Sequence, residues 1–532
     1  MPLRRALSVL ATLAGVGFLA MTPILLLLPT YPDELLWTLI SARYFLDGGR
    51  LVYLAPVCAN GFLNAAPITW YPYWIVNSLI FGDLSDIHRL RIFAVCTSAV
   101  FIFGVAWFLP RVVPTVYGLV ARIGIVCACL SLGVMPFLMA FSRPEQHVLV
   151  IVSAALGLAV LVSSRKKPVR AWEAWMLAAA YALLAASLLA AHVKGAFLLP
   201  ALLVAAAAAI RRPVPWLATF GVALYSCWET YAIWRDRTNC PESPFLTQIF
   251  QSLSLSPRNL AEGIGPFLHA VKVDLSQSFL YWQRVEFLPE NQSGWLPNMT
   301  FPPTVIERFV NQAIPAALIV AYLVIAAALL SAIYEWMQHG RKPAMETLLA
   351  LCLAAFPPVL AVYQGIKNFY EASLIFPIIG LAVIFSLHSL IRLRFAVPAG
   401  RILLTVTLLV GLASQAAFLN RFYGRYSVWS KNWTAIYGQT ENIRNLAGVC
   451  GLPADGSSSR VMMDMPSYPA LWRTREPLFL EYMVGYWGTG IDQDRLLRER
   501  NVSAIVGACY LIPPKFQGRT IGSQGYCCVK LK

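Results

Sequence analysis

The sequence predicts an all-α polytopic membrane domain followed by a small α/β domain outside the membrane. Of the 532 residues, 58% are hydrophobic and 13% are charged, whereas a soluble globular chain has roughly 25% charged residues. The mean hydropathy is +0.62, so polar residues are too few to cover a water-soluble particle of this size. Together with repeated long apolar segments, these values exclude a soluble enzyme built from several domains.

The apolar segments have the length of membrane spans, because an α-helix needs about 20 residues to cross the hydrocarbon core. The first one, with an apolar run from Ala6 to Leu28, is too long for a typical signal peptide, and we interpret it as a retained anchor. Eleven spans are predicted: 7–29, 91–109, 116–140, 147–163, 172–191, 196–210, 215–234, 314–337, 344–364, 372–391 and 401–419.

The basic residues are distributed unevenly between the two sides of these spans. With a cytoplasmic N-terminus, the cytoplasmic loops contain fourteen basic residues and no acidic one, and the short opposite turns contain three basic residues. The positive-inside rule then predicts a cytoplasmic N-terminus and a periplasmic C-terminus in a cell inner (plasma) membrane. The net charge of +16 is thereby explained without a nucleic-acid partner. The fourteen residues are Arg4, Arg5, Arg111, Arg165, Lys166, Lys167, Arg170, Arg211, Arg212, Arg341, Lys342, Arg392, Arg394 and Arg401.

Two domains follow from this topology. Residues 1–419 form the membrane domain, with outer loops 30–90 and 235–313, and residues 420–532 form the extracytoplasmic domain. The first outer loop is predicted to contain two amphipathic helices lying on the membrane, at 33–47 and 68–81. In the C-terminal domain the residue pattern predicts two helices and three strands: helices 440–449 and 492–501, and strands 459–465, 502–509 and 526–531.

The cysteines divide between spans and outer regions. Five lie within spans and are interpreted as apolar packing, and six lie on the outer side, where disulfides persist. Connectivity cannot be read from sequence alone. The candidate bridges are Cys58 with Cys240, and Cys450 or Cys509 with one of the pair Cys527 and Cys528.

Ionisable residues collect at the outer ends of the spans, where such residues tend to mark function. Each of them, taken singly, could be an interfacial anchor or a solvated turn. Acids beside bases, in short turns on the side that normally avoids Lys and Arg, favour a polar cup with a hydrocarbon base and loop 235–313 as its lid. Lys194 is expected to be an unpaired cation there. The residues are Asp33 and Glu34 after the first span, Arg43, then Arg143 and Glu145, His192 and Lys194, and Lys367, Tyr370 and Glu371.

A cup of carboxylates and cations suits a lipid substrate that carries a phosphate-linked sugar. The cations would bind the phosphate and stabilise it as leaving group. A carboxylate would take the proton from an acceptor that attacks the anomeric carbon from the opposite face, as in inverting glycoside chemistry. This chemistry predicts no cofactor, with a divalent metal left as an open alternative.

At these residues the chain resembles the GT-C superfamily of lipid-phosphosugar-dependent glycosyltransferases, especially the protein-mannosyltransferase and aminoarabinose-transferase-like group. The resemblance implies a GT-C fold, a polyprenyl-phosphate-linked sugar donor and Asp33 as catalytic base. It places Lys194, Arg143 and Lys367 near the lipid phosphate. Two departures from the family pattern leave the identity of the sugar and of the acceptor open. Ala65-Ala66 stand before Pro67 where the family often has a basic or His residue, and the segment after Asn420 has no motif that can be assigned to an acceptor. The motifs are Asp33-Glu34 with Arg43 and Gly48, Pro67…Phe81-Gly82…Arg89-Leu90-Arg91, Arg143-Pro144-Glu145, Lys194-Gly195 and Lys367…Tyr370…Pro377.

The sequence therefore predicts a membrane glycosyltransferase that uses a polyprenyl-phosphate-sugar donor and a glycan, lipid or protein acceptor. Three alternatives stay open: a transporter or flippase of lipid-linked sugars, an O-antigen-ligase-type transferase using loop 235–313, and a non-enzymatic assembly subunit. The first is disfavoured by the purely apolar middles of several spans. The predicted catalytic residues are Asp33, Glu34 and Glu145, and the predicted substrate-binding residues are Arg43, Arg143, His192, Lys194, Lys367, Tyr370 and Glu371.

Overall fold

The structure is a computed structural model, and part of the chain lies outside the residues that it describes. The predicted surface helices at 33–47 and 68–81, and most of loop 235–313, fall outside that part. The described residues are 2–26, 87–112, 118–132, 135, 139, 144–165, 168–238, 263–269, 272, 304–340, 344–364, 372–391, 396–423, 440–464, 467–474, 478–480, 493–523 and 525–531.

Each of the eleven predicted spans coincides with a helix. Between α5 and α6 the chain forms a 3₁₀ turn, Val193–Leu198, which we call the 193–198 turn. The helices are α1 (Pro2–Leu26), α2 (Ile87–Val112), α3 (Leu119–Cys129), α4 (Pro144–Ser163), α5 (Ala171–Ala191), α6 (Leu199–Ile210), α7 (Pro213–Thr238), α8 (Val305–His339), α9 (Met345–Gln364), α10 (Ala372–Ile391) and α11 (Ala396–Tyr423).

The chain is a multi-pass membrane protein. Among the described residues, seven helical stretches are long and apolar enough to cross a bilayer, and α3, α9 and α10 contain shorter apolar helices. Helix α7 is 26 residues long but carries Glu229, Arg235 and Asp236 toward its end. The membrane part of the predicted fold class is therefore confirmed.

The third span differs from its prediction. The pattern predicts 116–140, but α3 ends at Cys129. Its last turn is closed by the Ser131 hydroxyl, which donates to the carbonyl oxygen of Cys127 at 2.6 Å. Gly133 and Pro136 follow in the sequence, and a proline lacks the N–H that would continue a helix. Hydropathy alone does not register these helix breakers.

Helices α1, α3 and α11 pack unusually closely because small residues line their contacts. A Cβ atom on Gly124 of α3 would overlap the carbonyl oxygen of Ala11 in α1. A polar link joins the same three elements: the side-chain amide of Gln415 in α11 donates to the Ala14 carbonyl at 2.8 Å and to the Ser131 hydroxyl at 2.9 Å. The three helices thus form one tightly packed unit.

Two sets of contacts identify the opposite ends of the helix bundle. At one end, His147 of α4 stacks on Phe93 of α2, with ring centroids 5.6 Å apart. At the other end, the imidazole of His388 in α10 contacts the carbonyl of Val112, the last residue of α2. The Nε2 atom of His388 also lies 3.4 Å from the carboxylate of Glu346 in α9. We call these the His147 end and the His388 end.

The C-terminal domain is built on a five-stranded mixed sheet with the order β2-β1-β3-β5-β4. Strand β1 pairs in parallel with β2 and β3, and β5 pairs antiparallel with β3 and β4. The two predicted helices and three predicted strands are confirmed within a few residues, whereas β2 and β4 were not predicted. The elements are α12 (440–449), β1 (Val461–Met463), β2 (Leu478–Phe479), α13 (Gln493–Glu499), β3 (Ala504–Ala508), β4 (Ile521–Ser523) and β5 (Tyr526–Lys530).

Two disulfides join this sheet to its surroundings. Cys450 bonds to Cys528 and Cys509 bonds to Cys527, which confirms the predicted pairing with the terminal cysteines. The predicted Cys58–Cys240 bridge lies outside the described residues.

A buried carboxylate holds the loop after β1. Asp464 accepts hydrogen bonds from the backbone N–H groups of Ser467 at 3.0 Å and Ala508 at 2.8 Å. Burial raises the pKa of this carboxyl, and the hydrogen bonds partly oppose that shift. An α-helical membrane domain followed by a small α/β domain is thus the observed fold class.

Replacing Gly124 by alanine should destabilise the protein by about 1–3 kcal/mol, as expected for overpacking against backbone. Gly221 in α7 is the matched control, because a Cβ atom there meets nothing within 4 Å, so Gly221→Ala should be neutral or stabilising. Thermal unfolding of the detergent-purified variants measures both effects. Equal melting temperatures for the two variants would contradict the close packing of α1 on α3.

Candidate active site

Helix α4 begins with residues that suit a helix N-terminus. Pro144 has no N–H to lose and a backbone angle preset for the first helical position. Glu145 follows in the first turn, where the positive end of the helix dipole favours a carboxylate. Glu145 is fully buried. A buried carboxylate requires paired charge or hydrogen bonds, so its neighbours determine what it can do.

The 193–198 turn supplies those neighbours. His192 precedes the turn, and its Nδ1 atom accepts a hydrogen bond from the backbone N–H of Lys194 at 3.1 Å. The N–H of Gly195 donates to the carbonyl oxygen of His192 at 2.8 Å. A Cβ atom at Gly195 would overlap the Leu188 carbonyl of α5, so only glycine fits here. This tight turn directs Lys194 inward, where only 4% of the residue is exposed.

Glu145, His192 and Lys194 form one charge cluster, which we call the Glu145 cluster. The Glu145 Oε1 atom lies 3.9 Å from Lys194 Nζ and 3.8 Å from His192 Nε2. Both distances are within ion-pair range but longer than a direct hydrogen bond of about 2.7–3.2 Å. Since Nδ1 of His192 accepts a backbone N–H, neutral His192 carries its proton on Nε2, the atom that faces Glu145. One carboxylate therefore orients two cationic or polar groups.

The start of α4 is also fixed from the α2 side. The amide nitrogen of Gln146 donates to the Met139 carbonyl at 2.6 Å, and the hydroxyl of Ser98 in α2 donates to the same carbonyl at 2.8 Å. Gln146 and Ser98 are both buried. Sequence reasoning assigned no role to either one, because a serine within an apolar span has no distinguishing pattern. Their hydrogen bonds hold the helix turn that presents Glu145.

The structure brings together three of the predicted site residues, Glu145, His192 and Lys194. The expectation that Lys194 is unpaired is wrong, because the turn brings its ammonium to the carboxylate of Glu145. Helix α9, which ends three residues before Lys367, packs against the 193–198 turn. The other predicted site residues lie outside the described residues: Asp33, Glu34, Arg43, Arg143, Lys367, Tyr370 and Glu371.

The described residues contain no candidate metal site. Within them, no group of three or more His, Cys, Asp or Glu side chains is arranged to hold a metal ion. The Glu145 cluster can instead attract an anion through Lys194 and fix the direction of the imidazole. Its lysine suits the binding of an anionic group.

The comparisons with known proteins find similarity in structure only. No family model and no curated protein matches the sequence. The fold is similar to ArnT from Cupriavidus metallidurans bound to undecaprenyl phosphate, with a TM-score of 0.47, 13% identity and 97% of both chains covered. It is also similar to the archaeal oligosaccharyltransferase AglB from Archaeoglobus fulgidus in complex with an inhibitory peptide and a dolichol-phosphate. The comparison with AglB has a TM-score of 0.42 and 11% sequence identity, and it covers 96% of this chain and 70% of the AglB chain.

Replacing Lys194 by methionine should destabilise the protein by roughly 3 kcal/mol, because it leaves the buried carboxylate of Glu145 without its ammonium partner. The double change Lys194→Met with Glu145→Gln should recover most of the loss. Chemical denaturation in detergent measures the free energies of unfolding.

The control for this prediction is a lysine in an exposed ion pair. Lys515 lies 2.8 Å from Asp494, with the two side chains 36% and 58% exposed, so Lys515→Met should cost less than about 1 kcal/mol. A stability loss from Lys194→Met no larger than this, or no recovery in the double variant, would show that Glu145 and Lys194 are not coupled in folding.

Proposed function

We propose that this protein is a GT-C-type membrane glycosyltransferase. It transfers a sugar from a polyprenyl-phosphate-linked donor to a hydroxyl or amine of a glycan, lipid or protein acceptor at the extracytoplasmic membrane face. The observation that carries the proposal is the Glu145 cluster, a buried cation held by a carboxylate at the end of two membrane helices. The sequence predicts the Asp33–Glu34 pair at the same membrane face.

Lys194 is suited to the phosphate of the donor. A lysine ammonium binds phosphate as a compact point charge, and a cation placed at the phosphate oxygens stabilises them as negative charge develops on the leaving group. Glu145 keeps the ammonium in place while the site is empty, and His192 fixes the turn that carries it. We assign Arg143 and Lys367 to the same phosphate, and His192, Tyr370 and Glu371 to further donor contacts.

Asp33 is assigned as the general base of a single displacement. The acceptor oxygen or nitrogen attacks the anomeric carbon from the face opposite the phosphate, and Asp33 takes the proton that the acceptor loses. The bond between the anomeric carbon and the phosphate oxygen breaks, and polyprenyl phosphate leaves with the electron pair. The anomeric configuration is inverted. No general acid is needed, because the phosphate leaves as a stabilised anion.

We assign Glu34 and Glu145 as residues that position other groups of the site. Glu34 lies about 100° from Asp33 around the predicted surface helix, so it orients neighbours, either Arg43 or Lys194, while Asp33 faces the anomeric carbon. Glu145 is fully buried against Lys194 and His192, which favours a positioning part over direct proton transfer.

One observation and one prediction support placing this site outside the cytoplasm. The disulfides of the C-terminal domain, Cys450–Cys528 and Cys509–Cys527, persist in oxidising compartments. The eleven predicted spans, an odd number, would put that domain opposite the N-terminus. On the same count, α4 begins and α5 ends on the outer side. The Glu145 cluster and the C-terminal domain then share the periplasmic face of the inner membrane.

Asp33→Asn keeps the side-chain shape but removes the proton acceptor, so turnover should fall by at least about 10²-fold. Mass spectrometry of cell-envelope glycoconjugates, from a strain lacking this protein and complemented with each variant, measures the transferred sugar. Binding of undecaprenyl phosphate to the purified Asp33→Asn variant should persist. The surface variant Asp494→Asn is the control and should behave as wild type.

Other outcomes of that experiment reassign the chemistry. Normal transfer by Asp33→Asn, with loss in Glu34→Gln or Glu145→Gln, would move the base to another carboxylate. Normal transfer by all three variants would overturn the transferase proposal and make the transporter alternative the leading one.

Alkaline phosphatase fused after Lys532 should be active, because the C-terminal domain is proposed to lie outside the cytoplasm. The same reporter fused after Arg212, in the predicted cytoplasmic turn between α6 and α7, should be inactive. Inactive enzyme at both positions, with normal expression, would mean an even number of spans and a cytoplasmic C-terminal domain.

A further inference from the structure

An apolar cavity lies among six helices away from the Glu145 cluster. It has a volume of about 220 Å³, is partly open, and is lined by residues of α1, α2, α3, α8, α10 and α11. For comparison, an engineered apolar cavity of about 150 Å³ stays dry and binds benzene. Among the described residues the lining is almost entirely aliphatic and aromatic, and Arg401 is the one charged side chain in it. The space therefore suits a hydrocarbon chain with an anionic group at one end.

The lining of the cavity extends along the helices. On α10 its lining runs from Phe376 to Leu387, eleven residues or about 16 Å of helix. The hydrocarbon core of a bilayer is about 30 Å thick, so the cavity covers about the depth of one leaflet. One acyl chain of a neighbouring phospholipid has the matching length and orientation.

The charged end of the cavity lies far from the candidate active site. Helix α2 contacts both places: Phe93 stacks on His147, next to Glu145 and Gln146, whereas Leu109 lines the cavity. These two residues are sixteen positions apart, about 24 Å along the helix. Leu109 is at the His388 end of the bundle, three residues before Val112.

Arg401 belongs to that same end. Helix α11 runs parallel to α1, since Gln415 contacts Ala14 and the Tyr423 hydroxyl donates to the Ala20 carbonyl at 3.2 Å. By this register Leu408 lies level with Leu7, and Arg401 lies seven residues, or about 10 Å, nearer the start of α11. Leu7 and Arg401 both line the cavity, with Arg401 closer to the helix ends. The Arg401 side chain is exposed, and no carboxylate of the described residues lies within ion-pair distance of it.

We propose that this cavity holds one acyl chain of a resident anionic phospholipid of the cytoplasmic leaflet, with its phosphate bound by Arg401. A basic residue near an anionic leaflet attracts such lipids, and the basic loops concentrate at this face. The donor's polyprenyl chain fits less well, because its phosphate belongs at the Glu145 cluster, at the other end of α2. The inference goes beyond the proposed function, and only the choice of a phospholipid over the donor chain rests on that function.

Native mass spectrometry of the purified full-length protein with dioleoylphosphatidylglycerol and dioleoylphosphatidylcholine tests the proposal. Wild type should retain one phosphatidylglycerol in preference to phosphatidylcholine. Arg401→Gln should lower that preference about fivefold, the equivalent of the roughly 1 kcal/mol that a basic residue contributes near an anionic surface. Gly380→Leu should abolish retention of both lipids, because Gly380 lines the cavity and a side chain there meets open space.

Matched controls separate the site from general effects. Arg212→Gln removes a basic residue at the same predicted face, and Gly221→Leu adds the same side chain to α7, which does not line the cavity; both should retain lipid as wild type does. Wild-type lipid preference in Arg401→Gln would overturn the proposal even if Gly380→Leu fails to fold. Undecaprenyl phosphate is added in a second experiment. If wild type retains it instead of phosphatidylglycerol, and Gly380→Leu does not, the occupant of the cavity is the donor chain and the phospholipid proposal is overturned. The lipid-binding experiment does not measure sugar transfer, so a negative result would overturn the phospholipid proposal without bearing on the proposed glycosyltransferase activity.

Discussion

The absence of water inside the bilayer is the constraint on which the structure depends. Backbone groups must find their hydrogen bonds within helices, and any charge drawn inward must be paired. The Glu145 cluster meets this requirement by combining a helix first turn with a tight 3₁₀ turn, so that carboxylate and ammonium compensate each other. The Lys194 ammonium can then stay charged while buried from solvent. On the proposed function such a pair is preorganised, because little rearrangement would be needed when the donor phosphate takes over part of the carboxylate's attraction for the ammonium.

Two groups of helices in the bundle are stabilised by different kinds of contact. Helices α1, α3 and α11 are held by the approach of Gly124 to Ala11 and by the amide of Gln415, which lie outside the Glu145 cluster. Helices α4, α5 and α7 are tied by hydroxyls instead: Tyr181 donates to the Ala155 carbonyl at 2.8 Å, and Thr219 donates to the Ala178 carbonyl at 3.1 Å. Both kinds of contact fix helix register, and register determines which side chains meet at the helix ends.

The sequence predicted the helices well because hydropathy depends on each segment alone. All eleven spans correspond to helices. The third was drawn past Cys129, where α3 ends, because a mean hydropathy gives little weight to single helix breakers such as Gly133 and Pro136 of the sequence. Strands β2 and β4, two and three residues long, are too short to leave a pattern. The pairing of Lys194 with Glu145 could not be read from the sequence, since it depends on how two turns nearly fifty residues apart are placed. The functional parts of Asp33 and its neighbours stay predictions from motif and position.

The position of β5 in the chain bears on how the protein is made. Neighbouring residues of a strand face opposite sides of a sheet, so Cys527 and Cys528 direct their disulfides to the two faces of β5. This strand is also the partner of both β3 and β4, and it follows every membrane helix in sequence. The sheet therefore cannot close until the last helix is inserted and the chain through Lys530 has emerged. On the proposed topology, oxidation of these cysteines records that insertion of the whole membrane domain has been completed.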